Sequence, residues 1–285
     1  MSRFKDFMSR LDRFTIAEKI ILINIVCFII PFFLRTVFFL FNLPEQAMYT
    51  WFELSPHASL FLYRPWTLFT YAFLHGSIGH ILWNMLLLYY ASRLFLNLFS
   101  AQKFINVYFL GLITGGVVFL MSYALFPVFK GLYPPLVGAS AGVMAILIFS
   151  CTYSPQLEIR LLFFNLKLMY LGIGLVVLDV LQIPSGNAGG HLAHLGGAAL
   201  GYFYANQLQK GNDIGTRFEL VWKWIVGLFD SKPRMEKVYK TTKKTAKTSS
   251  PDQNKIDAIL DKISISGYDS LTKEEKEFLF KAGKN

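Results

Sequence analysis

The chain has 285 residues, 54% of them apolar or aromatic and only 16% charged, with a mean hydropathy of +0.42. Soluble domains carry about a quarter charged residues, so the composition marks a membrane protein and excludes disorder and a collagen-like fibre. Two cysteines, Cys27 and Cys151, both in apolar runs, exclude a disulfide-stapled module. The net charge of +10 gathers at the two ends, which fits a membrane surface and not a nucleic acid.

In chain order, a basic arm (1–15) with Arg3, Lys5, Arg10 and Arg13 comes first. Six apolar segments follow at 20–34, 70–94, 104–126, 136–151, 161–183 and 188–204. A helix crosses a bilayer with roughly 17–25 residues, so the pattern predicts an all-α, polytopic membrane protein, a six-transmembrane-helix bundle over 16–208. The connections bearing Arg93, Lys103, Arg160 and Lys167 are basic, and so is the C-terminal tail. The positive-inside rule then puts both termini in the cytoplasm, and a bacterial cytoplasmic membrane is the expected location.

Past the last span, 209–230 reads as a juxtamembrane amphipathic segment, with 218–229 lying in the interface. Residues 231–254 read as a basic flexible linker. Residues 255–285 read as a short helical extension with one helix, started by a capping box from Thr272 to Glu275 and stopped by Gly283.

Polar groups inside a membrane are costly and mark candidate sites. Span two carries His80 and Asn84, four apart and so on one face, where two donors could meet one oxygen. His75 is expected to hold the outer loop, and His57 to be a solvated surface residue. Span four opens with Ser140 in Val137-Gly138-Ala139-Ser140-Ala141-Gly142, where small residues leave the hydroxyl accessible and free helix N–H groups could stabilise an oxyanion. Packing alone also explains such a run. Span six carries His194 ahead of Gly197 and Gly201, a smooth face whose complement is Ala141 and Ala145 on span four. Joining those faces could bring Ser140 to His194 as general base, with His191 as the competing base. Asp179, near the outer end of span five, is the one intramembrane acid of note and receives no role.

His80-x-x-x-Asn84, Gly138-x-Ser140 and Ala193-His194-x-x-Gly197-x-x-x-Gly201, in order on spans two, four and six, resemble the rhomboid intramembrane serine proteases. Trp66-Thr67 falls where that family usually has Trp-Arg. The resemblance covers roughly residues 15–208. It implies a six-helix bundle with Ser140 as nucleophile and His194 as base, a dyad lacking an acidic third member. It further implies an oxyanion hole from His80, Asn84 and the Ser140 N–H, with Trp66, Gly138, Gly197 and Gly201 as structural support. Three positions depart from the family pattern: Thr67 for Arg, with Arg64 nearby, Ala141 for Gly, and Met144 for a Tyr that stacks under the histidine. His194 must therefore be oriented by something else.

The expected function is an intramembrane serine endopeptidase that cleaves transmembrane protein substrates near the outer end of their helix. No cofactor and no metal are expected, and the lipid bilayer is the other partner. A pseudoprotease that binds membrane helices without cutting is the alternative, although such relatives have lost the Ser or His kept here. A channel or transporter would show midplane charge pairs or broken repeats. Because Pro134-Pro135 delays the start of span four, Ser140 is expected at the floor of a cavity open to the outer face.

Overall fold

The computed structural model describes residues 13–44, 49–161, 164–229 and 251–282. The basic arm falls almost wholly outside them, as does most of the linker. The chain divides into two units, 1–230 and 231–285.

Each of the six apolar segments holds one long helix. Helix α1, Ile16–Leu40, begins four residues before the expected span because Thr15 and Glu18 form a reciprocal capping box. Helix α2, Ile78–Leu96, starts well inside the expected 70–94, since Ser77 caps it by accepting from the His80 N–H at 3.1 Å. The residues before it form short turns, Thr67–Thr70 and Tyr71–Phe73. Helix α3 is Ala101–Leu125, capped by Ser100.

Helix α4, Ser140–Tyr153, begins at Ser140 itself. The segment after Pro135 is not helical and is tied at Leu136 and Gly138. Leu136 pairs with Leu54 through two backbone bonds, and the Gly138 N–H donates to the Tyr71 carbonyl at 2.9 Å. The delayed helix start inferred from the two prolines is thus present.

Span five requires a correction. Residues 158–167 form a hairpin of β1 (Glu158–Leu161) and β2 (Phe164–Lys167), with Arg160 opposite Asn165, and α5 begins only at Leu168, running to Gln182. The polar positions Glu158, Arg160, Asn165 and Lys167 alternate with apolar ones at a period of two, which suits a strand and not a helix. Helix α6 is Ala188–Gln209.

By length and composition, α1, α3 and the stretch Leu168–Ser185 could each cross a membrane alone. The others are shorter or diluted: α4 has 14 residues, α2 carries His80, Asn84 and Arg93, and α6 is rich in glycine.

Helix α4 is the centre of the unit. Every residue from Ala141 to Cys151 is buried, enclosed by α2, α3 and α6. Small residues permit this. Gly111 and Gly115 of α3 face Ala145 and Ala141, and Gly197 and Gly201 of α6 press on the carbonyls of those same two alanines. A Cβ at Gly197 or Gly201 would run into that backbone, so the pairing foreseen in the sequence is present. The outside is the reverse: Phe33, Phe39 and Leu40 on α1 and Ile173, Val177 and Leu181 on α5 are exposed. An apolar exterior with small residues at the helix–helix seams is the arrangement a lipid solvent selects.

Helix α7, Gly215–Phe229, covers the expected interfacial segment. Trp222 stacks on Phe109 of α3, while Leu220, Val221 and Trp224 stay exposed. Its start is fixed by Asp213, which accepts from the Gly215 N–H at 3.1 Å, pairs with Lys103 at 2.9 Å and accepts from the Tyr204 hydroxyl. Burial raises the Asp213 pKa, but the Tyr204 and Lys103 bonds outweigh it and hold the carboxyl below its ordinary range.

Among its described residues the second unit contains two α-helices, where a single helix was expected. Helix α8, Pro251–Ser266, starts before residue 255, and α9 is Lys273–Ala282. Gly267, with φ +78, turns the chain between them. The Thr272–Glu275 capping box is present, and Glu275 also accepts from Lys262 at 2.9 Å.

Candidate active site

Ser140 is the first residue of α4, and its Oγ lies 2.6 Å from Nε2 of His194. The close approach follows from the small-residue seam, since Gly197 lets α6 touch the α4 backbone at Ala141 one turn from His194. Both side chains are partly exposed.

The other nitrogen of His194, Nδ1, lies 2.8 Å from Oδ1 of Asp179 on α5. A carboxylate there holds the proton on Nδ1 and leaves the Nε2 lone pair facing the serine hydroxyl. This corrects the expectation of a pair without an acidic member. Met144 cannot stack as a tyrosine would, and Asp179 supplies the orientation instead. His191, the competing base, also points Nδ1 at Asp179 Oδ1, at 2.7 Å; it is His194 that meets Ser140. Burying a carboxylate is costly unless it is hydrogen-bonded, and two imidazoles provide those bonds.

His80 sits in the first turn of α2. A Cβ placed on Gly138 would lie 2.8 Å from His80 Nε2 and 3.8 Å from Ser140 Oγ, so the imidazole rests on the segment leading into the serine. Gly138 has φ +119, and both the conformation and the close contact demand glycine. The Gly76 N–H faces His80 Nδ1 at 3.5 Å, which leaves Nε2 to carry the proton. The N–H groups that open helix α4, that of Ser140 included, have no intrahelical partner, and no side chain caps them. Asn84 is buried one turn below His80, and its amide donates to the His80 carbonyl at 2.9 Å. One of its two N–H groups is therefore used within α2.

The first loop is fastened beside the site. The Trp66 indole stacks on Trp51 at 6.4 Å and donates to the Trp51 carbonyl at 2.8 Å. Arg64 lies over the Trp51 ring at 4.2 Å and bonds the Thr50 carbonyl at 2.7 Å. Thr67 turns inward and donates to the Arg64 carbonyl, while the Arg64 side chain ties Thr50 and Trp51 to this turn. His57 is exposed yet stacks on Tyr133 at 4.1 Å. His75 is buried edge-on against His80, 5.1 Å between ring centres, so it belongs to the surroundings of His80 and not to the surface.

A sequence profile of the rhomboid domain matches residues 63–210, and residues 239–284 match a family of unknown function (DUF6576). RHOMBOID-like protein 12, mitochondrial, from Arabidopsis thaliana is 34% identical over 157 residues, covering 51% of this chain and 47% of the relative. Presenilin-associated rhomboid-like protein, mitochondrial, from Bos taurus is 29% identical over 193 residues, 66% of this chain and 47% of the relative. The Homo sapiens protein of that name is 28% identical over the same length. The chain spans about half the length of the curated relatives it matches. These relatives are named as mitochondrial, which leaves the expected bacterial membrane without support; a membrane protein with apolar helices stands. With more than half of its residues inside the matched domain, the chain belongs to the rhomboid family.

Proposed function

We propose that the chain is an intramembrane serine endopeptidase in which α1 to α6 all span the bilayer and both termini are cytoplasmic. The observation that carries this reading is the 2.6 Å contact of Ser140 Oγ with His194 Nε2, backed by Asp179. Ser140, His194 and Asp179 lie towards one end of the bundle: at the start of α4, near the start of α6 and near the end of α5. The basic connections with Arg93, Lys103, Arg160 and Lys167 lie at the opposite end. The positive-inside rule therefore puts the site on the outer side. Helix α4 is about 21 Å long at about 1.5 Å per residue, against a hydrocarbon core of about 30 Å, which favours a serine sunk below the outer surface.

In the proposed reaction Ser140 Oγ attacks the scissile carbonyl carbon as its proton passes to His194 Nε2. Asp179 stabilises the imidazolium without taking the proton. The carbonyl oxygen, now negative, receives the Ser140 N–H and the His80 Nε2–H, with the free Asn84 N–H as a third donor. The intermediate collapses, the C–N bond breaks, and His194 returns the proton to the leaving amine. A water molecule then attacks the acyl-serine by the same route and releases the acid. A helical substrate hides its carbonyls, so weak helix formers near the cut should favour cleavage.

The full chain in liposomes with a test transmembrane substrate should cut it, and Ser140→Ala should not. Stable capture of the substrate by the wild type with no cleavage would instead establish a pseudoprotease.

A further inference from the structure

Asp179 has two imidazoles where orienting a base requires one. The proposed reaction employs His194, and His191 takes no part in its proton transfers. One ligand atom from each of Asp179, His191 and His194 lies within 4.8 Å of the other two, and Nδ1 of both rings faces Oδ1 of Asp179. We propose that these three side chains form a binding site for a divalent transition metal of the zinc type, and that its occupancy switches Ser140 off.

The donor set suits such an ion. Two imidazoles and one carboxylate select zinc-like metals over magnesium or calcium, which prefer all-oxygen ligands. Tetrahedral zinc with bonds of about 2.0–2.2 Å sets its ligands roughly 3.3 Å apart. The two rings stand 2.7 and 2.8 Å from the carboxylate oxygen, so each needs to draw back by about half an ångström to admit the ion. His191 and His194 are three apart on α6 and share one face. Their side chains are 14% and 22% exposed, which gives the ion a path and leaves a fourth position for water.

The consequence for the serine follows from tautomers. A neutral imidazole bound to metal through Nδ1 carries its proton on Nε2. Coordination removes the Nδ1 proton to solvent, and Nε2 takes one up, so the ring remains neutral. Nε2 then faces Ser140 as a donor and cannot accept the hydroxyl proton. The ion also takes the Asp179 oxygen that would have stabilised the imidazolium. His191 thus adds the third ligand that turns an orienting pair into a metal site.

The inhibition rests on the protease reading; the binding does not. The test uses the full chain in detergent micelles, stripped with a chelator and titrated with Zn²⁺ against a fluorescent zinc indicator. Wild type and Ser140→Ala should each bind one Zn²⁺ with the same affinity. His191→Ala and His191→Gln should both bind at least tenfold more weakly, while circular dichroism shows them folded. In the same titration, cleavage and fluorophosphonate labelling of Ser140 should fall in step with occupancy, return on chelation, and be unaffected by equal Mg²⁺. No stoichiometric binding, or binding undiminished in both folded His191 variants, would overturn the site. Binding with full labelling and cleavage would overturn the switch. A chain that binds zinc as described but never cleaves would sink the protease reading and leave the metal site standing.

Discussion

Asp179 Oδ1 and Ser140 Oγ bracket the His194 ring, 2.8 Å from Nδ1 and 2.6 Å from Nε2. The carboxylate thus fixes the side of the ring that the serine does not use. It comes from α5, the helix with the least buried inner surface among those that meet at the site. Any outward movement of α5 would withdraw Asp179 and loosen the base.

Asp179→Asn should separate orientation from bulk. An asparagine amide can donate to Nδ1, which forces the proton onto Nε2 and turns that nitrogen away from accepting. We expect kcat to fall by about 10²–10⁴-fold with little change in KM, and Asp179→Glu to recover part of it. Steady-state cleavage rates check this; an unchanged kcat in Asp179→Asn would reduce the carboxylate to a packing contact.

His80 and Asn84 should not be equivalent. His80 Nε2 lies against Gly138, beside Ser140, whereas the Asn84 amide is partly engaged by the His80 carbonyl. His80→Ala should lower kcat by about 10²-fold or more with KM nearly constant, as expected for a bond that strengthens as charge develops. Asn84→Ala should cost less in kcat and show more in the melting temperature. A rise in KM as the main effect of His80→Ala would make that residue a substrate contact.

Glycines on α6 and α5 should respond differently to one methyl group. Gly201→Ala presses on the Ala145 carbonyl and the Phe149 amide, while a Cβ at Gly174 meets nothing within 4 Å. Gly201→Ala should cost about 1–3 kcal/mol by overpacking, and Gly174→Ala should be neutral or slightly stabilising. Thermal unfolding in detergent distinguishes them, and equal melting temperatures would contradict a tight α4–α6 seam.

Orientation is open to fusion reporters. Fusions after Lys103, Lys167 and Asn285 should read cytoplasmic, and fusions near Pro56 or Gly131 external, as the Lys and Arg distribution requires. An external reading after Asn285 would mean that Phe218–Phe229 crosses the bilayer.

What the sequence disclosed was local or carried by a short motif. The six apolar segments, the Gly197 and Gly201 face and the delayed start of α4 after Pro134-Pro135 are neighbour-to-neighbour patterns, and each corresponds to a feature of the fold. The 158–167 hairpin was hidden because its Leu and Phe residues extend the apolar run of α5, and only the alternation of Glu158, Arg160, Asn165 and Lys167 marked it. Asp179 was visible as a lone acid in an apolar segment. Its bond to His194 joins two helices across a turn, a relation no spacing within one helix encodes. Arg64 likewise reaches Trp51 and Thr50 through loop geometry, which a substitution at Thr67 alone could not reveal.

The most direct measurement is covalent labelling of the folded full chain by a fluorophosphonate, with the modified residue identified by peptide mass spectrometry. The probe reacts only with a serine whose hydroxyl is activated by a base. The wild type should carry a single adduct on Ser140, and Ser140→Ala and His194→Ala should carry none, with Asp179→Asn labelled much more slowly. An adduct on another serine, or full labelling of Ser140 in a folded His194→Ala protein, would contradict the assignment of His194 as the base that activates Ser140.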